Sequence, residues 1–152
     1  MRFDVGNGNW ADVVTPLAPI HSVYDATTND SNKSWTVPDG EIWKLTQAFV
    51  TMVTTADVGN RQIRFTATDA DGNQIGYISA GAVQAASLTR GYGFLQGVYR
   101  ETAFVDAMIE VPIPQDLYIG PGGSIKFWDS AAVAAAADDM TVAFTVQRYP
   151  SA

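Results

Sequence analysis

Imidazoles, thiols and paired carboxylates carry most side-chain catalysis, and this chain offers them sparsely. His21 is its single histidine, and it has no cysteine. Thiolate nucleophiles, disulfide frameworks and zinc–thiolate sites are therefore excluded, as is any histidine cluster around a metal. A Ser-His-Asp relay would need His21, on a short segment beside a polar arm, to meet distant partners. The simpler reading is a surface or interface histidine. Sixteen acidic residues offer many carboxylate pairs. A glycosidase needs two at a fixed separation across a cleft, and the sequence selects none.

Three short phrases resemble ligand loops and fail on their details. Asp69-Ala70-Asp71-Gly72-Asn73 has the composition of a calcium loop. An EF-hand, however, needs glycine sixth and glutamate twelfth. Here glycine is fourth and Ala80 is twelfth, so a hairpin turn is expected. Asp138-Asp139 is a weaker cation candidate, read more simply as a solvated turn before the last strand. Gly120-Pro121-Gly122-Gly123 lacks the Lys-Ser/Thr and the following helix of a phosphate loop. The aromatics Trp35, Trp43, Trp128, Tyr92, Phe94, Tyr99 and Tyr118 remain as binding candidates. In a sandwich most such residues are core, whereas an exposed flat row would mean sugar stacking or a subunit interface.

The elements that must position these residues are strands. Pro-x-Gly-x-Ile occurs twice, at Pro38 to Ile42 and at Pro121 to Ile125. Proline presets φ in a tight turn and glycine closes it, so two similar corners should feed two similar strands. Ile42 to Thr54 is a long strand of uneven phase. Trp43, Leu45, Phe49 and Val53 share one face, while Ala48, Val50 and Met52 line the other. Either both faces are covered or a bulge sits near Gln47. Arg61 to Thr68 alternates cleanly, with Ile63, Phe65 and Ala67 on one side. Gln74 to Ser79, Arg90 to Tyr99, Val105 to Val111, Ile125 to Asp129 and Thr141 to Tyr149 complete the body. On the fourth of these segments from the end of the body, Gly91, Gly93 and Gly97 fall together, which suggests close approach of another backbone. Ala131 to Ala137, after Asp129-Ser130, is the one helical candidate, and it is too short to stand alone.

Residues 1–33 are rich in Asn, Asp, Thr and Gly and read as an irregular, extended N-terminal arm, with a short strand over Ile20 to Tyr24. Residues 34–152 read as the folded domain. The expected fold class is all-β, a jelly-roll-like β-sandwich of about eight strands. At 152 residues, one core suffices, since a chain of this size buries roughly 68–70% of its unfolded surface. Net charge is −7, and the nine Lys and Arg are scattered, so no nucleic-acid partner is expected. Met1-Arg2-Phe3-Asp4 opens no signal peptide. No apolar run reaches the ~18 residues of a membrane helix, so no membrane partner is expected, and folding in a cytoplasm is.

From Trp35 to Tyr149 the pattern resembles the small jelly-roll structural proteins of tailed bacteriophages, among them capsid decoration, or cement, proteins. The resembling phrases are Trp35-Thr36-Val37-Pro38-Asp39-Gly40, the strand Ile42 to Thr54, Val58-Gly59-Asn60-Arg61-Gln62, Gly120 to Ile125, and the terminal strand after Asp138-Asp139-Met140. The resemblance implies a non-enzymatic virion protein without cofactors. It would fold in the host cytoplasm and sit on the outer capsid surface as a homotrimer that bridges subunits of the major capsid protein. The rival expectation is a carbohydrate-binding or tail/fibre adhesion module. No residue role is carried over from the family. From type and place alone, Trp10, His21, Tyr24, Gly91, Gly93 and Gly97 are the interface candidates, Trp10 as a grip on the arm and the glycines as a close-packed contact at a symmetry axis.

Overall fold

The computed structural model describes residues 2–4, 10–12, 18–28 and 30–151, with side chains from Ile20 onward. Twelve strands follow in chain order: β1 (Arg2–Asp4), β2 (Trp10–Asp12), β3 (Ala18–Asp25), β4 (Asn32–Thr36), β5 (Glu41–Val53), β6 (Ile63–Thr68), β7 (Gln74–Ser79), β8 (Thr89–Leu95), β9 (Met108–Pro112), β10 (Tyr118–Ile119), β11 (Ser124–Asp129) and β12 (Asp139–Pro150). β1 pairs with β2. The large sheet runs β3-β12-β5-β8-β9, with β10 also on β5, and the small sheet runs β4-β11-β6-β7. Every pairing is antiparallel except β8 with β9. The protein is thus an all-β sandwich.

Period-two alternation builds the core between the sheets. β6 buries Ile63, Phe65 and Ala67, β11 buries Ile125 and Phe127, and β12 buries Met140, Val142, Phe144 and Val146. Aromatic rings bridge the layers. Trp35 meets Phe144 edge-on at 4.8 Å, and Phe127 meets Phe94 at 5.1 Å. Such pairs add about 0.5–1.5 kcal/mol each beyond area burial. The uneven phase of β5 is a bulge. Thr145 pairs with Gln47 while Val146 pairs with Leu45, so Thr46 is the extra residue. Trp43 and Leu45 point inward before it, and Ala48, Val50 and Met52 after it.

The two Pro-x-Gly phrases lie side by side. Gly40 and Gly122 take φ of +79° and +75°. Val37 N–H donates to the Gly123 carbonyl at 2.8 Å, and Gly122 N–H to the Val37 carbonyl at 3.0 Å. One corner carries β4 across to β5, and the other carries β10 across to β11. The pairing is consequently nested: β3 with β12, β4 with β11, β5 with β10. Gly123 cannot be another residue here, since a Cβ would sit 2.6 Å from the Thr68 carbonyl oxygen.

At the opposite end four connections cross between the sheets: β3 to β4, β5 to β6, β7 to β8 and β11 to β12. A buried polar cluster closes that end. Arg61 and Asp138 are fully buried, joined by Arg61 Nε to Asp138 Oδ2 at 2.8 Å and Nη2 to Oδ1 at 3.1 Å. Arg61 Nη1 donates to the carbonyls of Asp57 and Gly59. Asp138 also accepts the Thr55 N–H and hydroxyl. The Gln84 amide donates to the carbonyls of Met52 and Leu88 and accepts the Tyr92 hydroxyl. Lys33 Nζ, also buried, reaches Asp25, Asp30 and the Thr27 carbonyl.

Several expectations are corrected. Asp138 is not a solvated turn residue but the anion of this cluster. Ala131 to Ala137 forms turns rather than a helix, because Ala132 and Ala134 adopt φ of +51° and +48°, which no right-handed helix admits. β8 stops at Leu95, and Gly97 lies in the following turn with φ +76°. β9 begins only at Met108, because Asp106 and Ala107 take positive φ and turn the chain. Within the arm, Ala18–Asp25 is an edge strand of the large sheet, longer than the short strand expected over Ile20 to Tyr24. The Asp69 to Asn73 hairpin is as expected. Gly72 sits at φ +83°, and the Asp69 carboxylate accepts the N–H groups of Asp71 and Asn73.

Asp138→Asn should cost about 3–5 kcal/mol, because it strands a buried guanidinium without its anion. Replacing the pair together, Arg61→Met with Asp138→Leu, should recover part of that loss. Urea denaturation decides it, and a single variant no weaker than wild type would refute the role. Burial alone would push the Asp138 carboxyl up, but hydrogen bonds from Arg61 and Thr55 hold it below the usual range. Glu41 is lowered by its bond from Arg148, and Asp25 by the Thr27 N–H. Each of these groups binds its proton more readily when unfolded. Their stabilisation is therefore complete above about pH 4 to 5 and is lost as pH falls through the depressed native values. Urea midpoints measured from neutral pH downward should stay level and then drop below about pH 4; a level curve throughout would contradict this.

Candidate interaction face

The outward positions of the large sheet lie in rows set by the register. One row is Ser22, Thr145, Gln47, Leu95 and Pro112; the next is Tyr24, Ala143, Phe49, Gly93 and Glu110; a third is Thr141, Thr51, Gly91 and Met108. In a chain of net charge −7, the charged side chain of these rows is Glu110, at their far edge. Two rings stand out of the face, Tyr24 at 71% and Phe49 at 44% exposure. Ile20 and Val53 are further exposed apolar side chains on β3 and β5, and the row of Val53 carries a second charge, its partner Asp139.

Residue size explains the relief. Phe49 is flanked by Ala143 and Gly93, so its ring has low ground on both sides. Toward β8 the ring leans over Gly93, where a Cβ would touch Phe49 and Leu95 at ordinary contact distances. Toward β3 it forms one wall of a cleft of about 150 Å³, with Tyr24 as the other wall and Ala143 as the floor. Ser22, Gln47 and Thr145 line one end. The groups offered are aromatic faces, hydroxyls and an amide, which bind and orient rather than transfer protons. Among the described residues, no group of three or more His, Cys, Asp or Glu is placed to hold a metal ion.

The expected interface residues divide. Tyr24, Gly91 and Gly93 share this face. His21 points the other way on β3, its ring 6.4 Å from that of Trp43. Gly97 is away in its turn, and the Trp10 side chain lies outside the described residues. Gly93 is buried with space for a Cβ at ordinary contact distance, whereas a Cβ on Gly91 would meet Met108 Sδ at 2.6 Å, so the missing side chain at Gly91 makes room for Met108. Trp35, Trp43, Tyr92 and Phe94 belong to the core or pack against it, while Tyr99 and Tyr118 are exposed. Trp128 lies on the outer face of the small sheet.

No family model and no curated protein matches this chain. Phe49 was missed as an exposed residue because the bulge at Thr46 reverses the phase set by Trp43 and Leu45. Its signal was the run Ala48, Val50, Met52 on the alternate positions.

A Tyr24→Ser, Phe49→Ser double variant should fold with a loss of no more than about 1 kcal/mol, as surface substitutions do. It should also elute clearly earlier from a hydrophobic-interaction column. Unchanged retention would mean that this face is not the main apolar surface.

Proposed function

We propose that this protein is a non-enzymatic virion structural protein of jelly-roll type, a capsid decoration protein that binds the outer head surface and bridges subunits of the major capsid protein. The observation that carries the reading is the low charge of the three central rows on the outer face of the large sheet, where Glu110 is the charged residue and Tyr24 and Phe49 stand exposed in a strongly acidic chain. Aromatic groups are enriched and charges depleted at the centres of protein interfaces. The nested pairing and the adjoining corners favour the jelly-roll assignment, and the resemblance of Trp35 to Tyr149 to phage head proteins favours the virion role. Assembly as a homotrimer would multiply a modest contact into stable attachment. The acidity would then remain on surfaces facing water, where it favours solubility.

A second reading is supported by the cleft itself. Two aromatic walls with hydroxyls and an amide at one end suit a sugar ring, as in a carbohydrate-binding or fibre adhesion module. The two readings part on partner and stoichiometry.

Light scattering over a dilution series should give a trimer mass that survives dilution. Sedimentation with empty heads lacking the protein should carry the wild type down and leave the Tyr24→Ser, Phe49→Ser variant in solution. A stable monomer that ignores heads and binds neutral oligosaccharides would overturn the capsid reading in favour of the second. Deleting residues 1–33 would also remove β3 and the start of β4, so the arm is better tested by deleting residues 1–17, which takes Trp10 and leaves the sheet partner of β12.

A further inference from the structure

The outer face of the small sheet differs in kind from that of the large one. Two register rows cross it: Trp128, Arg64 and Ser79, then Lys126, Thr66 and Tyr77. The Arg64 guanidinium lies between two rings, 5.5 Å from the centre of Tyr77 and 5.7 Å from that of Trp128. Lys126 Nζ stands 4.7 Å from the same Trp128 ring. Trp128 is fixed by its indole N–H donating to Thr66 Oγ1 at 3.0 Å, and the Tyr77 hydroxyl lies 2.9 Å from Ser79 Oγ. The rings thus hold two cations side by side in set positions, each cation–ring contact contributing roughly 0.5–1 kcal/mol at an exposed site.

Their charge is left unanswered. Lys33, Lys44, Arg61 and Arg148 are each ion-paired with a carboxylate. Among the described residues, Arg64 and Lys126 have no carboxylate within ion-pair distance, and Arg64 Nε is a buried donor without an acceptor. In a chain with sixteen acidic and nine basic residues, two adjacent cations without an acid between them form a local positive strip. Salt confines the repulsion from the acidic remainder, since exposed charges farther apart than about 8–10 Å are largely screened at physiological ionic strength.

We propose that this face is a separate binding site for an acidic polysaccharide. Arg64 and Lys126 would engage its carboxylates or sulfates, and Tyr77, 46% exposed, would offer a ring face for a sugar to stack on. Along β4 the outward Asn32, Ser34 and Thr36 are exposed, and these amide and hydroxyl groups match sugar hydroxyls better than the apolar anchors of a protein partner. A flat sheet face with charge in a strip suits an extended polymer rather than an enclosed small molecule. The site lies on the sandwich face away from Tyr24 and Phe49, so it does not depend on the capsid reading.

Isothermal titration of the intact protein with polygalacturonate and with dextran sulfate tests it, with neutral dextran and polyglutamate as comparisons. At least one acidic polysaccharide should bind at low salt and weaken as salt rises, while neutral dextran should not bind. Lys126→Gln and Arg64→Gln should each weaken binding by about fivefold or more, the scale of losing one charged contact. Tyr24→Ser should leave binding unchanged. Lys126 is a surface side chain, so its variant keeps the test valid even if Arg64→Gln lowers the melting temperature. No binding of either polymer, or binding that Lys126→Gln leaves intact, would overturn the proposal. Polyglutamate binding as tightly would assign the strip to an acidic protein instead.

Discussion

The ion pair between Arg61 and Asp138 is the constraint on which the sandwich depends at its crowded end. Four of the crossings between sheets occur there, and each brings backbone groups that no ladder satisfies. Arg61 meets the problem with one side chain. It binds the carbonyls of Asp57 and Gly59 in the crossing before β6 and the carboxylate of Asp138 in the crossing before β12. Its own backbone exchanges hydrogen bonds with Gln84 in the crossing before β8. Burying such a pair is costly and is tolerated only where nearly every donor and acceptor is used. That condition is met, and the ends of β5, β6, β8 and β12 are set against one another in consequence.

Much of this fold was legible. The repeated Pro-x-Gly phrase announced both corners, though not that they would hydrogen-bond to each other, because strand pairing is a property of the whole chain. The broken phase of β5 left two explanations open, covered faces or a bulge near Gln47, and the pairing with β12 shows the bulge, one residue away at Thr46. The polar end escaped, although its signal was present. Arg61 is in phase with Ile63 and Phe65, Asp138 with Met140 and Val142, Asp129 with Ile125 and Phe127, and Lys33 with Trp35. A charged residue that continues an apolar face inward is a buried charge in search of a partner. Alternation alone could not say which charge would meet which. The alanine run misled for a different reason: helix propensity is a weak preference, and the crossing into β12 overrode it with positive φ at two alanines.

The two outer faces follow from the same arrangement. The end cluster absorbs Arg61, Asp138 and Lys33, while Lys44 and Arg148 are engaged by Asp116 and Glu41 near the other end of the large sheet. What remains outward in the central rows of the large sheet is mostly uncharged, with Glu110 at the far edge, and it rises into relief at Phe49 because its neighbours are glycine and alanine. What remains outward on the small sheet is a pair of cations held by rings. One sandwich therefore presents two chemically distinct surfaces on opposite sides, with no element inserted to make either.

Nested pairing also bears on how the chain finds this structure. β3 and β12 lie near opposite ends of the described chain, and closing so long a loop in one step carries a large entropic cost. The nesting divides that closure. Once β5 meets β10, the loop left for β4 and β11 is short, and once those pair, β3 and β12 are already neighbours. The first closure, of Trp43 and Lys44 on Tyr118 and Ile119, is itself long, and each later step is a local closure on a surface made by the one before. A topology dominated by distant contacts, which alone would place it among slow folders, can in this way assemble as a zipper from the inside of the chain outward, with the outermost strand, β3, last to seat.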